Sequence, residues 1–333
     1  MIARSPAPTH TLPEWQRLAA EAIRDPDELW HRLRLPLASL PAARRAAETF
    51  GLRVPEPFLA RIRPGDPDDP LLRQVLPVAA ELETATAFGP DPVGDGAARS
   101  APGLLRKYHG RALLLASGAC AVHCRYCFRR HYPYHEAGAG HWDAALDALA
   151  ADPTIEEAIL SGGDPLSLTD GRLDTLLERL EAIPHLRRLR LHTRQPIVIP
   201  QRVTTELVQR LSTSRLQPIV VLHANHPDEF DTAVDTACHH LRAGGATLLN
   251  QAVLLAGVND TIETQTALSR RLFTAGILPY YLHALDRVSG ASHFESPVDP
   301  EALMEGLRTR LPGYLVPSLV RENAGAPYKQ PLA

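Results

Sequence analysis

The 333-residue chain reads as an α/β protein, a partial (β/α)6 TIM-like barrel behind a mainly helical N-terminal region. Three observations predict this. From Arg111 onward, short apolar runs alternate with helix-like stretches. Six such units follow one another, which implies a parallel sheet with helices outside. The residues able to do chemistry recur just after the apolar runs, at the strand ends where such folds place their sites. Right-handed crossovers curl a sheet of this kind into an open barrel. A complete barrel of eight units would need two more than the sequence supplies.

Residues 14–34 show helical periodicity, with Trp15, Leu18, Ala19, Ile23, Leu29 and Leu33 near one side, and predict one helix. Pro41 restarts a helix at its first turn. Residues 89–103 carry prolines and glycines with few large apolar side chains and read as a connection. The predicted strands are 112–116, 158–160, 189–193, 219–223, 247–255 and 278–283. The predicted helices are 141–151, 173–182, 204–211, 227–241, 262–275 and 300–311. The chain therefore divides into a helical accessory region (1–105), the barrel (106–315) and a C-terminal segment (316–333).

Apolar residues make up 44% and charged residues 22%, as in a soluble globular protein. A net charge of −3 gives no case for nucleic acid or a membrane surface as partner. No apolar run approaches the ~20 residues that span a bilayer. The first eight residues lack the apolar core of a leader, so the cytoplasm is expected. A reducing compartment also suits clustered thiols. Of the 35 basic residues, only Lys107 and Lys329 are lysines. Arginine supplies fixed charge but does not readily form an imine. A lysine kept in such a chain points to Schiff-base chemistry; the bland alternative is chance survival on a solvated tail.

Three of the four cysteines lie in Cys120-Ala121-Val122-His123-Cys124-Arg125-Tyr126-Cys127, after the first predicted strand. Three thiolates can hold three irons of a [4Fe–4S] cube and leave the fourth open. The alternative is a Cys3His zinc site completed by His123 or His131, although no second Cys/His pair follows. Cys238, in a predicted helix, reads as a buried, inert thiol.

Gly162-Gly163-Asp164 follows the second strand and permits close backbone approach to a ligand beside a carboxylate; alone it is equally an ordinary turn. Arg129 and Arg130 follow the cysteines and suit either a bound carboxylate or ion pairing. His223 closes the fourth strand, and Gln251 is an amide in an apolar run that needs partners. Asp286 and Glu322 are each ordinary loop acids; together at a cavity they would receive a cation.

The cysteine spacing resembles that of the radical S-adenosylmethionine enzymes. The longer string is similar to the lysine 2,3-aminomutase family, in order and spacing from about residue 70 onward. It comprises Tyr108, Arg111, the cysteines with Phe128-Arg129-Arg130, Ser161-Gly162-Gly163-Asp164-Pro165-Leu166 and His192-Thr193-Arg194-Gln195-Pro196. It continues with Asn225-His226-Pro227, Leu254-Leu255-Ala256-Gly257-Val258-Asn259-Asp260, Pro279-Tyr280-Tyr281 to Asp286, and Pro327-Tyr328-Lys329. The chain most resembles the short bacterial aminomutases that make β-lysine for elongation factor P.

The resemblance implies a radical SAM barrel and an isomerase. It would move the amino group of L-lysine from Cα to Cβ, giving the R form of β-lysine, with an electron donor it does not identify. It implies three cofactors: a [4Fe–4S] cluster on Cys120, Cys124 and Cys127, S-adenosyl-L-methionine, and pyridoxal 5′-phosphate on Lys329. Arg111 with Tyr108 nearby would take the phosphate of the latter. Gly162, Gly163, Asp164, His223 and Gln251 would contact S-adenosylmethionine. Arg129 would hold the substrate carboxylate, and Asp286 with Glu322 its ε-ammonium. Another aminomutase of this kind, acting on glutamate, is the nearest alternative; a non-catalytic zinc-stabilised binding protein is the alternative of a different class. The chain departs from the fermentative members of the family in three places. It stops four residues after Lys329, so their C-terminal zinc-binding extension is expected to be absent; Thr261 stands where a zinc cysteine is looked for; and Glu322 replaces Asp.

Overall fold

The computed structural model describes residues 12–333; residues 1–11, including the segment read as lacking a leader, lie outside the described residues. One ten-stranded sheet runs in sequence order: β1 (Arg99–Ala101), β2 (Leu104–Tyr108), β3 (Arg111–Ser117), β4 (Glu157–Gly162), β5 (Arg188–Thr193), β6 (Gln217–Leu222), β7 (Thr247–Val253), β8 (Leu278–His283), β9 (Ser318–Arg321) and β10 (Gln330–Pro331). The six predicted strands are β3 to β8. All are parallel, and β9 adds a further parallel strand beside β8. The pairs β1–β2, β2–β3 and β9–β10 are antiparallel hairpins at the two edges. These flanking strands were not predicted. They are two to five residues long and lack an apolar run, so pairing rather than composition makes them strands.

The pattern of burial shows what each strand faces. Every residue of β4 is buried, as expected for a parallel strand covered on both faces. In β5, Leu189, Leu191 and Thr193 are buried and alternate with Arg188, Arg190 and His192. The apolar set meets the outer helices, and Arg190 and His192 line the barrel interior. Six helices cover the outside: Asp143–Ala151, Asp170–Glu181, Thr205–Ser212, Thr232–Ala243, Ile262–Thr274 and Pro300–Arg308. Four start on side-chain caps from Thr204, Asp231, Thr261 and Asp299, each accepting a backbone N–H of the first turn. Thr261 thus has a helix-capping job of its own. The predicted helix over 227–241 starts with a separate short turn, Pro227–Glu229, before Asp231 caps the helix proper.

The predicted helix over 14–34 is two helices, Glu14–Ala20 and Pro26–Leu33. Pro26 cannot continue a helix without clashing with the preceding turn, and the Asp25 carboxylate restarts the chain by accepting from Asp27 N–H. These helices and the segment after them build a second core around Trp15, Leu29, Trp30, Phe58 and Leu72. That core also takes in Ala121 and Val122, the spacer between the first two loop cysteines, and Val198 and Ile199 after β5. The N-terminal region therefore packs onto the cysteine loop. The boundary read at residue 105 falls inside β2, which runs from Leu104 to Tyr108. Among the described residues the edge strands β1 and β10 do not pair, so the barrel is open along one seam. No described helix is long and apolar enough to cross a membrane.

Candidate active site

A cavity of about 260 Å³ occupies the barrel. Arg130, His123 and His131 do not line it, whereas every residue to which the family resemblance gives a role in binding or catalysis does. The strands place them by topology. The cysteines leave β3, Gly162 ends β4, His223 follows β6, Gln251 lies in β7 and Asp286 follows β8. The two edge hairpins deliver the rest: Tyr108 and Arg111 at the β2–β3 turn, Glu322 and Lys329 between β9 and β10.

At one end lie Cys120, Cys124 and Cys127. Burial, reinforced by Asp164 and the neighbouring sulfurs, pushes Cys120 well above the ordinary thiol range. Burial and Cys124 push Cys127 up to about 11. Thiolates here need a strongly cationic partner such as iron. Positive charge surrounds the loop: Arg194 Nη1 lies 2.7 Å from Cys124 Sγ, and the same nitrogen donates to Tyr126 Oη at 2.7 Å. The other Arg194 amino group reaches Gln74 Oε1 at 2.7 Å and Glu229 Oε2 at 3.0 Å. Arg125 is wholly buried, pairs with Glu81 and donates to the Phe50 carbonyl at 2.7 Å. Arg130 shares Glu81 at 2.7 Å and also holds the Gly290 carbonyl at 3.0 Å. This donor set of three thiols in a cationic, half-buried loop at the cavity fits an iron–sulfur cluster. The two histidines of the zinc alternative are engaged elsewhere: His123 Nδ1 with Gly51 O at 2.8 Å, His131 Nε2 with Ser289 O at 3.0 Å. Among the described residues no group of three His, Cys, Asp or Glu side chains is set to hold a single ion.

Gly162 and Gly163 line the cavity, and the backbone around them requires glycine in its own right. A Cβ at either would come within 2.4 Å of a carbonyl, that of Ser117 or of Ala119, so the close approach is to the chain itself. Gly162 also sits at φ +112°, where side chains are strained. Gly163 N–H donates to Ser117 O and Asp164 N–H to Ala119 O, both at 2.7 Å, clasping the strand that leads into the cysteines. The Asp164 carboxylate is committed within the protein. It accepts from the Thr193 hydroxyl and from the backbone N–H groups of Leu166, Arg194 and Gln195. By contrast, His223 Nε2 and Gln251 Nε2 are buried without a partner among the described residues, as is His192 Nε2. Burial pulls His223 down to about 4, so it is a neutral imidazole. Orphaned donors and acceptors on a cavity wall fit a polar ligand such as S-adenosylmethionine.

At the other end, Arg111 stacks 4.8 Å over the Tyr108 ring and enters no ion pair among the described residues, which fits an anion receptor for a phosphate. Lys329 Nζ donates to Glu322 Oε2 at 2.8 Å and stands 5.6 Å over the Tyr281 ring. Burial opposes the charge on Glu322, but Lys329 and Lys107 outweigh it and hold the carboxyl down at about 2. Asp286 faces the same space with no cation in contact among the described residues. Burial and the Glu322 charge push it up to about 7. Arg129 Nε donates to Asp95 Oδ2 at 2.6 Å and its Nη1 to Ser161 Oγ at 3.1 Å.

Sequence reasoning passed over Asp95 and Glu81, and it noted Lys107 and Arg194 without giving either a role. Asp95 lies in the segment read as a connection, yet it is 1% exposed and pairs with both Arg129 and Lys107. The scarcity of lysine applied equally to Lys107 and was the available signal. Arg194 stood in the string that carries the resemblance, whereas Glu81 carried no signal, because its partners Arg125 and Arg130 are remote in sequence.

No family model matches the chain. Among curated proteins, it is 50% identical over 323 residues to the L-lysine 2,3-aminomutase of Escherichia coli (strain K12), covering 96% of this chain and 94% of that one. It is 48% identical over 318 residues to the enzyme of the same name from Haemophilus influenzae, covering 95% and 94%. With that of Clostridium subterminale the identity is 33% over 324 residues, covering 96% and 77%. Likeness to solved structures is weaker. Streptococcus suis SuiB bound to S-adenosylmethionine aligns with TM-score 0.46 and 16% identity, over 65% of this chain and 51% of that chain. A radical SAM methyltransferase from Sphaerobacter thermophilus aligns with TM-score 0.46 and 20% identity, over 66% and 68%.

Proposed function

Because the chain belongs to the L-lysine 2,3-aminomutase family, we propose that it moves the α-amino group of L-lysine to Cβ. The observation that supports this most is Asp286, a cavity-lining carboxylate with no cation in contact among the described residues, pushed up to about 7 by burial and by the charge of Glu322, in a cavity that Arg129 also lines. A receptor of two acids fits an ε-ammonium and repels the side-chain carboxylate of glutamate.

Cys120, Cys124 and Cys127 would hold the [4Fe–4S] cluster, His223 and Gln251 would bind S-adenosylmethionine, and Lys329 with Arg111 and Tyr108 would hold pyridoxal phosphate. When bound, these groups supply a carbon radical able to take an unactivated hydrogen and a π-bonded nitrogen through which an amino group can shift. The protein's own task is placement. Arg129 fixes the carboxylate and Asp286 with Glu322 the ammonium, so that Cβ is presented between the cysteine end and Lys329. Gly162, Gly163 and Asp164 hold the β4 turn against the cysteine loop. The enclosing strands keep water from a reactive carbon. Residues 1–105 serve as the accessory region with the first edge strand, 106–315 as the body of the barrel, and 316–333 as the segment that adds β9 and carries Lys329. The finer reading, (R)-β-lysine supplied to elongation factor P, is supported by the likeness to the short bacterial subgroup, including Glu322 in place of Asp.

Protein reconstituted anaerobically with iron, sulfide and pyridoxal phosphate, then given S-adenosylmethionine, a strong reductant and L-lysine, should form β-lysine. Chiral chromatography reads its hand. Release of 5′-deoxyadenosine without β-lysine contradicts the lysine assignment, and the S form contradicts the finer one.

A further inference from the structure

Both lysines of the chain meet at one carboxylate. Lys107 Nζ lies 2.7 Å from Glu322 Oε1, and Lys329 Nζ lies 2.8 Å from Glu322 Oε2. Their surroundings differ. Three oxygens ring the Lys107 ammonium: Glu322 Oε1, Asp95 Oδ1 at 2.6 Å and the Val93 carbonyl at 3.0 Å. An ammonium has three N–H groups; two are hydrogen-bonded here, to Glu322 Oε1 and the Val93 carbonyl, and Asp95 Oδ1 stands against the charge as an ion pair. Lys329 has one hydrogen-bond partner among the described residues. An amine held between two carboxylates and a carbonyl is a fixture, and an amine with a single partner can leave. A guanidinium spreads its donors in a plane and cannot converge three acceptors on one nitrogen. That explains a second lysine in a chain that otherwise uses arginine.

Asp95 grips Arg129 Nε at 2.6 Å with its other oxygen. Burial opposes the charge of Asp95, but Arg129 and Lys107 together hold its carboxyl below the ordinary range. The result is an unbroken alternation of charge: Arg129, Asp95, Lys107, Glu322, Lys329. It joins the carboxylate receptor to the ammonium receptor, and it crosses the seam of the open barrel, since Lys107 is in β2 and Glu322 follows β9.

We propose that Asp95 and Lys107 form a strut that fixes the distance between the two charge receptors, making Lys107 a residue that sets the chain length of the diamino acid accepted. The inference rests on the lysine reading above. Without the strut, Glu322 and Arg129 can settle at other separations, and a diamino acid one methylene shorter is no longer disfavoured by the geometry.

The test compares L-lysine with L-ornithine on reconstituted holoenzyme, for the parent, Lys107→Met and Lys107→Arg. Parent protein that leaves lysine unchanged while releasing 5′-deoxyadenosine sinks the lysine reading, and the strut falls with it. If the parent prefers lysine, Lys107→Met should raise KM for lysine more than it lowers kcat and shrink the lysine-over-ornithine ratio by about tenfold, the value of one methylene. Iron and pyridoxal phosphate contents should equal the parent's. Lys107→Arg should lose selectivity too, since it keeps charge without the geometry. Both substrates falling together with the ratio intact, or a loss of iron or pyridoxal phosphate, assigns Lys107 to the scaffold and overturns the proposal. Should Lys107→Met not fold, Lys107→Met with Asp95→Asn removes a cation and an anion together, and the same ratio decides.

Discussion

At the cysteine end of the cavity, Arg125 and Arg130 share the buried Glu81, and the loop's spacer residues Ala121 and Val122 sit in the N-terminal core. At the lysine end, Glu322 is shared by Lys107, from across the unpaired seam, and by Lys329 of its own β9–β10 hairpin, and Asp286 has no cation beside it among the described residues. The first is a rigid socket in which each charge has a fixed partner. The second joins a fixed ammonium, Lys107, to an exchangeable one, Lys329, beside a carboxylate that waits for a cation. A cluster needs its ligands immobile, whereas an amine that forms and breaks an imine needs a carboxylate it can leave.

The strongest consequence concerns Lys329. Lys329→Arg keeps the pairing with Glu322 but cannot form an imine, so turnover should fall by ~10³ or more, with no visible absorbance from bound pyridoxal phosphate and iron content unchanged. Cys127→Ala makes the opposite cut: iron and sulfide are lost, and pyridoxal phosphate still binds. If either variant loses both cofactors, the two ends do not act independently.

Asp286→Asn should lower kcat/KM for lysine ~10²-fold while the cluster assembles, because the substrate ammonium loses one of its two carboxylates. Normal turnover by this variant contradicts the ammonium pocket. Glu81→Gln, at the socket, leaves Arg125 and Arg130 buried without a counter-charge and should destabilise the fold by about 3 kcal/mol. A thermal melt and iron analysis would read it. An unchanged melting temperature with full iron content rejects the socket.

A pH series refines the contrast. Asp286 is pushed up to about 7 before a cation arrives. Below that pH its carboxyl carries a proton that the incoming ammonium must expel, so KM for lysine should rise toward tenfold per unit as pH falls from about 7 to about 5. The slope should vanish in Asp286→Asn. Glu322, held down at about 2 by the lysines, stays ionised throughout that range. The smallest effect belongs to His131→Gln, which removes one bond to the Ser289 carbonyl. It should keep full iron, at a cost within ~1 kcal/mol.

The same contrast governs what the sequence could reveal. The cysteine motif was legible because eight consecutive residues carry it, and strands β3 to β8 because buried parallel strands leave apolar runs. The break at Pro26 was overlooked because periodicity on either side outweighed one proline. The roles of Asp95 and Lys107 could not be read. Lys107 meets Glu322 across 215 positions, and Asp95 lies in a stretch of prolines and glycines that looks like a linker. Strands β1, β2, β9 and β10 exist through pairing alone, and they are what carries these charges to the seam. For Gly162 and Gly163 the motif was visible, but the packing that also requires glycine was not, because the backbone they admit belongs to β3 and the loop after it.

With two lysines in one cavity, a single chemical trap decides which does what. Borohydride reduction of protein loaded with pyridoxal phosphate, followed by peptide mapping, should place the pyridoxyl group on Lys329 and leave Lys107 unmodified. Label on Lys107, or on neither, would contradict the division of the site into a fixed ammonium and an exchangeable one.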